Sequence, residues 1–337
     1  MRHAPGQDES FLARLKEALE TRGFYEIRTL PLKEVRLRLE EIPGDWGIPP
    51  ALTGRGTLLM AAFPYTRPGE GSDASQPGDP HGLIAPFARR HYYQEAVTRM
   101  KGCLMDLGRQ DKDVRLFSNS RLPEKPLAAA AGLGFYGRNG LLIVPGLGSR
   151  FILAGMMLPL SIGEASHPPL TDEPGAFCGS CRLCIDACPT GALDGFGNLD
   201  KNRCLQAWAT EDTVLPDTLK NLWGKRLYGC EACQEPCPYN NAPIPDDPPI
   251  TGELGSSVSI RLILEKGREG SLKSILKGTA LGMAWMKPEV FIRNALLSAA
   301  SAGEKALSDA ARPYLHHKNR TLSETARQVM AALDSSD

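Results

Sequence analysis

The stretch Cys178 to Pro189, reading Cys-Gly-Ser-Cys-Arg-Leu-Cys-Ile-Asp-Ala-Cys-Pro, constrains this chain more than any other. Three cysteines recur at every third residue, a fourth follows four residues on, and proline closes the run. Such short steps let three thiolates of one loop converge on three irons of a 4Fe-4S cubane. The fourth points away and can reach a second cluster. Downstream, Cys204, Cys230, Cys233 and Cys237-Pro238 supply a matching second set. The crossed arrangement of two-cluster ferredoxins assigns Cys178, Cys181, Cys184 and Cys237 to one cluster, and Cys204, Cys230, Cys233 and Cys188 to the other. Two four-cysteine zinc sites are the alternative, but zinc needs neither the three-step run nor the two Cys-Pro closures.

The rest of the chain decides what surrounds these clusters. At 337 residues with 42% hydrophobic content, there is material for more than one core. Lys plus Arg and Asp plus Glu balance at 39 each, so no globally basic surface is advertised. The N-terminus has no apolar segment after its charges, and Phe151 to Leu160 is too short to span a bilayer. A cytoplasmic chain is expected, where thiols stay reduced and clustered cysteines bind metal.

Hydrophobic periodicity predicts a helix from Ser10, as its cap, to Gly23, and a buried strand over Thr57 to Phe63. Residues 67–82 read as a loop. A helix from Tyr92 to Leu107 would bury Cys103 as a small hydrophobe. A strand is predicted at Val114 to Phe117, a short helix at Leu127 to Ala131, and a strand at Leu141 to Val144. Phe151 to Leu160 should return across the turn at Pro145 to Ser149. Residues 165–177 read as a proline-containing linker, and 241–256 as an irregular segment leaving the cysteine region. Helices should dominate from Ser257 onward. Three units follow: 1–165, 166–256 and 257–337. Within the last, Arg261, Lys266, Arg268, Lys273 and Lys277 could line one basic helix face, or be a solvated surface.

Several stretches resemble the cobalamin-dependent epoxyqueuosine reductases, a family related in architecture to reductive dehalogenases. They are Glu124-Lys-Pro-Leu-Ala with Ala131-Gly-Leu-Gly-Phe-Tyr-Gly-Arg-Asn139, Phe177-Cys-Gly-Ser-Cys with Cys188-Pro-Thr-Gly-Ala192, Cys204 to Glu211, and Gly229-Cys-Glu-Ala-Cys-Gln-Glu-Pro-Cys-Pro-Tyr-Asn240. Gly278-Thr-Ala, Lys287-Pro and Arg293-Asn-Ala295 extend the likeness. The resemblance implies an α+β or α/β fold: a degenerate nitroreductase-like cobalamin-binding domain, a ferredoxin-like domain with two 4Fe-4S clusters, and a small C-terminal helical region. It implies base-off cobalamin, with Arg138, Asn139 and Gly140 beside it and Glu211 near the contact between domains. It also implies reduction of the epoxide of epoxyqueuosine in tRNA to the alkene, fed by an external ferredoxin or flavodoxin, in a monomeric enzyme with no membrane partner.

The resemblance departs at two places. Ser118 stands where the family carries its proton-donating Asp, and a hydroxyl is too weak an acid to replace a carboxyl directly. His91-Tyr92-Tyr93 stands where the family has Asp-Tyr-His. His91 and Tyr93 are therefore further catalytic candidates beside Ser118. A corrinoid reductase of another substrate, with a tyrosine acid, and a non-catalytic iron–sulfur electron carrier are the alternative functions.

Overall fold

The apolar run predicted at Thr57 becomes the centre of the main sheet. In the computed structural model, which describes residues 5–35, 56–65, 75–109, 112, 114–162, 173–241, 254–283, 286–303 and 305–334, the sheet has order β1-β2-β7-β4 and is antiparallel throughout. Its strands are β1 (Tyr25–Pro31), β2 (Thr57–Pro64), β4 (Arg115–Phe117) and β7 (Phe151–Leu158). β2 and β7 pair over their whole length, from Thr57 opposite Leu158 to Pro64 opposite Phe151. Both are buried on two faces, which is why they read as continuous apolar runs rather than alternating ones.

Side-chain alternation then divides the core in two. Leu59, Ala61 and Phe63 face the Pro5–Thr21 and Tyr92–Asp106 helices, whereas Leu58, Met60 and Ala62 face the Glu124–Ala130 helix. The first helix starts at Pro5, where a missing N–H costs nothing, so Ser10 lies inside it rather than capping it. Cys103 is fully buried, as its helical face predicts. Its thiol accepts from Arg22 Nη1 at 3.0 Å, and burial pushes its pKa up.

Phe151 does not return onto the preceding strand. β6 (Leu142–Ile143) pairs instead with β5 (Phe135–Tyr136), while β7 crosses to β2 and β4. The glycines before this hairpin serve that pairing. A Cβ at Gly134 would sit 2.4 Å from the Ile143 carbonyl oxygen, so the close approach is to the chain's own backbone.

A second sheet crosses all three predicted units. β3 (His81–Ile84) lies between β8 (Arg226–Tyr228), parallel to it, and β9 (Ser257–Ser259), antiparallel to it. The predicted loop over 67–82 therefore ends in a strand; its residues 67–74, like 165–172 and 242–253 of the predicted connections, lie outside the described residues. The C-terminal helices form as expected around the Pro288–Ala302 helix, which packs on the Ile260–Arg268 and Arg320–Asp334 helices. Its Arg293 and Asn294 are wholly buried. Among the described residues, no helix is long and apolar enough to cross a membrane.

Candidate functional site

The fold brings the eight clustered cysteines close to one another. Beyond burial, Cys184 feels Cys178, Cys237 and Cys181. Cys204 feels Cys230 and Cys188, and Cys233 feels Cys230 and Cys204 most strongly among the thiols. Burial first, then these neighbours, pushes the Cys233 thiol up to about 12. Four thiolates crowded in low dielectric repel one another, and only a polycationic centre makes their joint ionisation favourable. Among the described residues, no three His, Cys, Asp or Glu side chains group closely enough for a single metal ion. A zinc tetrahedron would bring sulfurs to roughly 3.8 Å of one another.

Cys188 is oriented by the turn that follows it. Its sulfur accepts from Ala192 N at 3.3 Å and lies 3.6 Å from Thr190 Oγ1. Cys237 packs with Phe135, Ile143 and Tyr239, so the β5–β6 hairpin rests on the second Cys-Pro turn.

The two halves are sealed by a buried polar network. Tyr65 Oη donates to Glu231 Oε1 at 3.1 Å, and Ser149 Oγ donates to Gln234 Oε1 at 3.0 Å. Ser149 N donates to Asn240 Oδ1 at 2.7 Å, and Asn240 Nδ2 to Gln234 O at 2.7 Å. Gly148 makes this seam possible. Its φ is +84°, and a Cβ there would lie 2.1 Å from Asn240 Oδ1 and 2.5 Å from Tyr239 O. Gly148→Ala is expected to destabilise the protein by at least about 2 kcal/mol, since left-handed strain alone costs on the order of 1–3 kcal/mol. Urea unfolding of the cluster-loaded protein measures it, and an unchanged midpoint would remove this seam from the account.

Above the seam lies a cavity of about 630 Å³. One wall comes from the N-terminal half, with Tyr65, Phe87, Tyr93, Leu142, Phe151 and Leu153 giving it an apolar face. The other wall carries Cys188, Cys204, Cys230 and Cys233, all four members of one thiol set. A redox group in this cavity touches the second cluster's loops directly. The volume lies within the usual range of small-molecule sites, roughly 300–1,000 Å³. Polar side chains including Asn119, Glu124, Lys125, Asn139, Gln206 and Gln234 complete the lining.

The expected site residues distribute unevenly around this cavity. Asn139 lines it, and its Nδ2 reaches Cys233 O at 3.4 Å. Arg138 turns the other way, donating to Gly179 O at 2.7 Å and Gly195 O at 3.3 Å beside the first cysteine loop. Gly140 packs on Gly197 and accepts from Lys125 Nζ at 3.1 Å. Glu211 is exposed and outside the cavity wall. Its charge, with that of Asp212, acts on the buried Arg293.

Tyr93 lines the cavity, and burial raises its phenol pKa. His91 is outside the wall; its Nδ1 accepts from Gln94 N at 3.4 Å as the cap of the Tyr92–Asp106 helix. Ser118 is also outside the wall, because its Oγ donates to Leu153 O at 2.6 Å. Its neighbours Asn119 and Ser120 face the cavity, as do Glu124 and Lys125. Glu124 was legible only as part of a motif; its carboxylate accepts from Asn119 N at 3.1 Å and Ser120 N at 2.7 Å. Of the basic helix face, Arg261 is paired with Asp309 at 2.9 Å and Lys266 with Glu269 at 2.8 Å.

Comparison with known proteins places these features in a family context. Residues 177–240 match a 4Fe-4S double cluster binding domain. The epoxyqueuosine reductase of Staphylococcus aureus is 35% identical over 191 residues, 55% of this chain and 48% of that protein. That of Bacillus subtilis is 36% identical over 188 residues, 55% of this chain and 47% of its own length. The chain thus spans about half the length of the curated relatives it matches. Solved structures extend the likeness over the fold. A Bacillus subtilis epoxyqueuosine reductase with its catalytic loop swung out of the active site superposes with a TM-score of 0.78 at 23% identity, covering 97% of this chain and 91% of that one. An epoxyqueuosine reductase with an epoxyqueuosine-modified tRNA-Tyr stem loop gives 0.76 at 24%, with the same coverage. The chain resembles epoxyqueuosine reductases in sequence and shares their fold.

Proposed function

We propose that this chain is a cobalamin- and iron–sulfur-dependent oxidoreductase that reduces the epoxide of epoxyqueuosine in tRNA to the alkene. The observation that carries the reading is the cavity whose two walls are an apolar pocket and the four cysteines of one cluster set. Cys178, Cys181, Cys184 and Cys237 hold the outer cluster; Cys188, Cys204, Cys230 and Cys233 hold the inner one. Electrons arrive singly from an external low-potential ferredoxin or flavodoxin and leave at the cavity. Cobalamin, when bound, supplies a low-valent cobalt able to open the epoxide. The chain's own part is to hold the ring between Tyr93, Asn139 and Leu142, exclude water with the apolar wall, and deliver protons. Its Arg268, Lys273 and Lys277 remain available for tRNA phosphates. The protein acts as a cytoplasmic monomer in this reading.

A non-catalytic electron carrier has no use for such a cavity. Reduction of another substrate with Tyr93 as the acid draws on Tyr93's place in the wall, yet burial makes that phenol a poorer donor. Expression in cells lacking their own epoxyqueuosine reductase, followed by tRNA nucleoside analysis, tests the main reading. Queuosine should replace epoxyqueuosine. Persistent epoxyqueuosine, with protein that carries both clusters and cobalamin, sinks it.

A further inference from the structure

The loop that carries Ser118 has lost a carboxyl, but the cavity has not. Among the residues lining it, Glu124 is the one that bears a carboxyl group. Glu124 begins the Glu124–Ala130 helix and reaches back over the loop, accepting from Asn119 N at 3.1 Å and Ser120 N at 2.7 Å. Asn119 itself adopts the left-handed conformation, with φ of 53°. The carboxyl is therefore locked against the two residues that follow Ser118, on the side of the loop that faces the cavity.

The structure assigns to Glu124 the role of proton donor to the departing oxygen, in place of the carboxyl absent at Ser118. This inference rests on the reductase reading above. A carboxyl has about four acceptor positions; Asn119 N, Ser120 N and the Ser120 hydroxyl take three, which leaves room for one proton. The competing donors are worse placed. Tyr65 Oη is spent on Glu231 and Gln234. Lys125 Nζ is turned onto Gly140 O. Ser118 Oγ is bound to Leu153 O. Tyr93 shares the cavity, but burial raises its pKa. Burial also outweighs the N–H bonds at Glu124 and raises its pKa, which keeps the acid form available at higher pH than for an exposed glutamate.

The balance is complete with groups already named. Both carbon–oxygen bonds of the epoxide break, the carbon–carbon double bond forms, and oxygen leaves as water. Two electrons come from the external one-electron donor through the clusters. One proton comes from Glu124 and one from water, and water reprotonates Glu124. The other titratable groups around the cavity are Tyr65 and Tyr93 on the sheet side, Lys125 beside Glu124, and the four cysteines opposite.

The test uses protein reconstituted with iron, sulfide and cobalamin, reducing an epoxyqueuosine-bearing RNA stem loop under excess chemical reductant. Glu124→Gln should slow the reduction by about 10²–10⁴-fold, while the visible spectrum of bound cobalamin and its reduction stay as in the unaltered protein. In the unaltered protein the rate should fall as pH rises through the raised Glu124 pKa, and this limb should vanish in Glu124→Gln. If Glu124→Gln fails to fold, Glu124→Asp should keep the pH limb at a lower rate. Infrared difference spectra of the cofactor-free protein, with and without Glu124→Gln, should show a carboxyl band persisting above the ordinary glutamate range.

An unchanged rate and pH profile in Glu124→Gln overturns the assignment and leaves the reductase reading intact. So does a slow variant that keeps the pH limb, since Glu124 would then only position the loop. A flat profile in Glu124→Asp, or no such infrared band, overturns it equally. If the unaltered protein converts no epoxyqueuosine, the reductase reading itself falls, and this assignment falls with it.

Discussion

Replacing Cys188 by serine should remove about four of about eight irons and abolish electron delivery to the cavity. The cluster it removes should be the one shared with Cys204, although Cys188 belongs by sequence to the run of Cys178, Cys181 and Cys184. The physical reason is the short helix that Cys188 follows. The Leu183–Asp186 turn carries the chain away from the first loop, and the Cys188 sulfur is oriented by Ala192 N and Thr190 toward the set that lines the cavity. Double replacements separate crossed from uncrossed ligation. Cys188→Ser with Cys204→Ser should lose no more iron than either alone. Cys188→Ser with Cys178→Ser should lose all of it. Iron analysis and electron paramagnetic resonance of the reduced proteins make the measurement. Iron loss from the Cys188→Ser and Cys178→Ser pair equal to that of either single variant would dismiss the crossed assignment.

Arg293→Ala should be the most destabilising substitution outside the cysteines, at about 3–5 kcal/mol. Arg293 is fully buried in the Pro288–Ala302 helix, yet among the described residues no carboxylate bonds to it directly. Its guanidinium instead donates to Thr213 O at 3.0 Å, Trp208 O at 2.5 Å and Asn294 Oδ1 at 3.0 and 2.6 Å. It lies over the Trp223 ring at 5.4 Å. Burial lowers its pKa to about 10, so it stays charged at neutral pH. Truncation leaves the buried Asn294 Oδ1 and the half-buried Thr213 O without their donor, and takes from Trp208 O one of its two, since Glu211 N also donates there at 3.2 Å. These carbonyls belong to the segment that follows Cys204, so the damage should be local as well as global. The variant should lose the inner cluster faster on exposure to air, with a lower urea midpoint. Arg293→Lys should recover less than half the loss, because an ammonium cannot span the same fork of acceptors. A variant as stable as the parent, retaining its inner cluster, would show that Arg293 merely fills space.

The cysteine half of the site was legible because cluster ligation is a matter of local spacing. Residues 178–188 must supply several thiolates within one loop, and nothing distant can substitute for that periodicity. The strands β2 and β7 were legible for a related reason, since a strand buried on both faces has to be apolar throughout. The glycine segment was visible but carried a different cause. Gly134 admits the Ile143 carbonyl, and Arg138 faces the outer cysteine loop, where the family resemblance had implied a bound cofactor.

The cavity's proton chemistry was not legible in the same way. Ser118 was conspicuous through the resemblance, but its hydrogen bond to Leu153 depends on β7 lying beside β4. Glu124 was one residue in a motif until the loop folded onto it. Likewise, β3, β8 and β9 come from three distant stretches, and short strands of three or four residues carry too little pattern to reveal their partners.

The sequence by itself therefore determined the closely spaced cysteine runs, the buried strands and the helical C-terminus, because each follows from patterns within a few residues. Tertiary structure alone decided which cysteines face the cavity, which way Arg138 and Ser118 turn, and where a carboxyl meets the pocket. Those outcomes depend on contacts between residues far apart in the chain, and side-chain direction is settled by packing rather than by spacing.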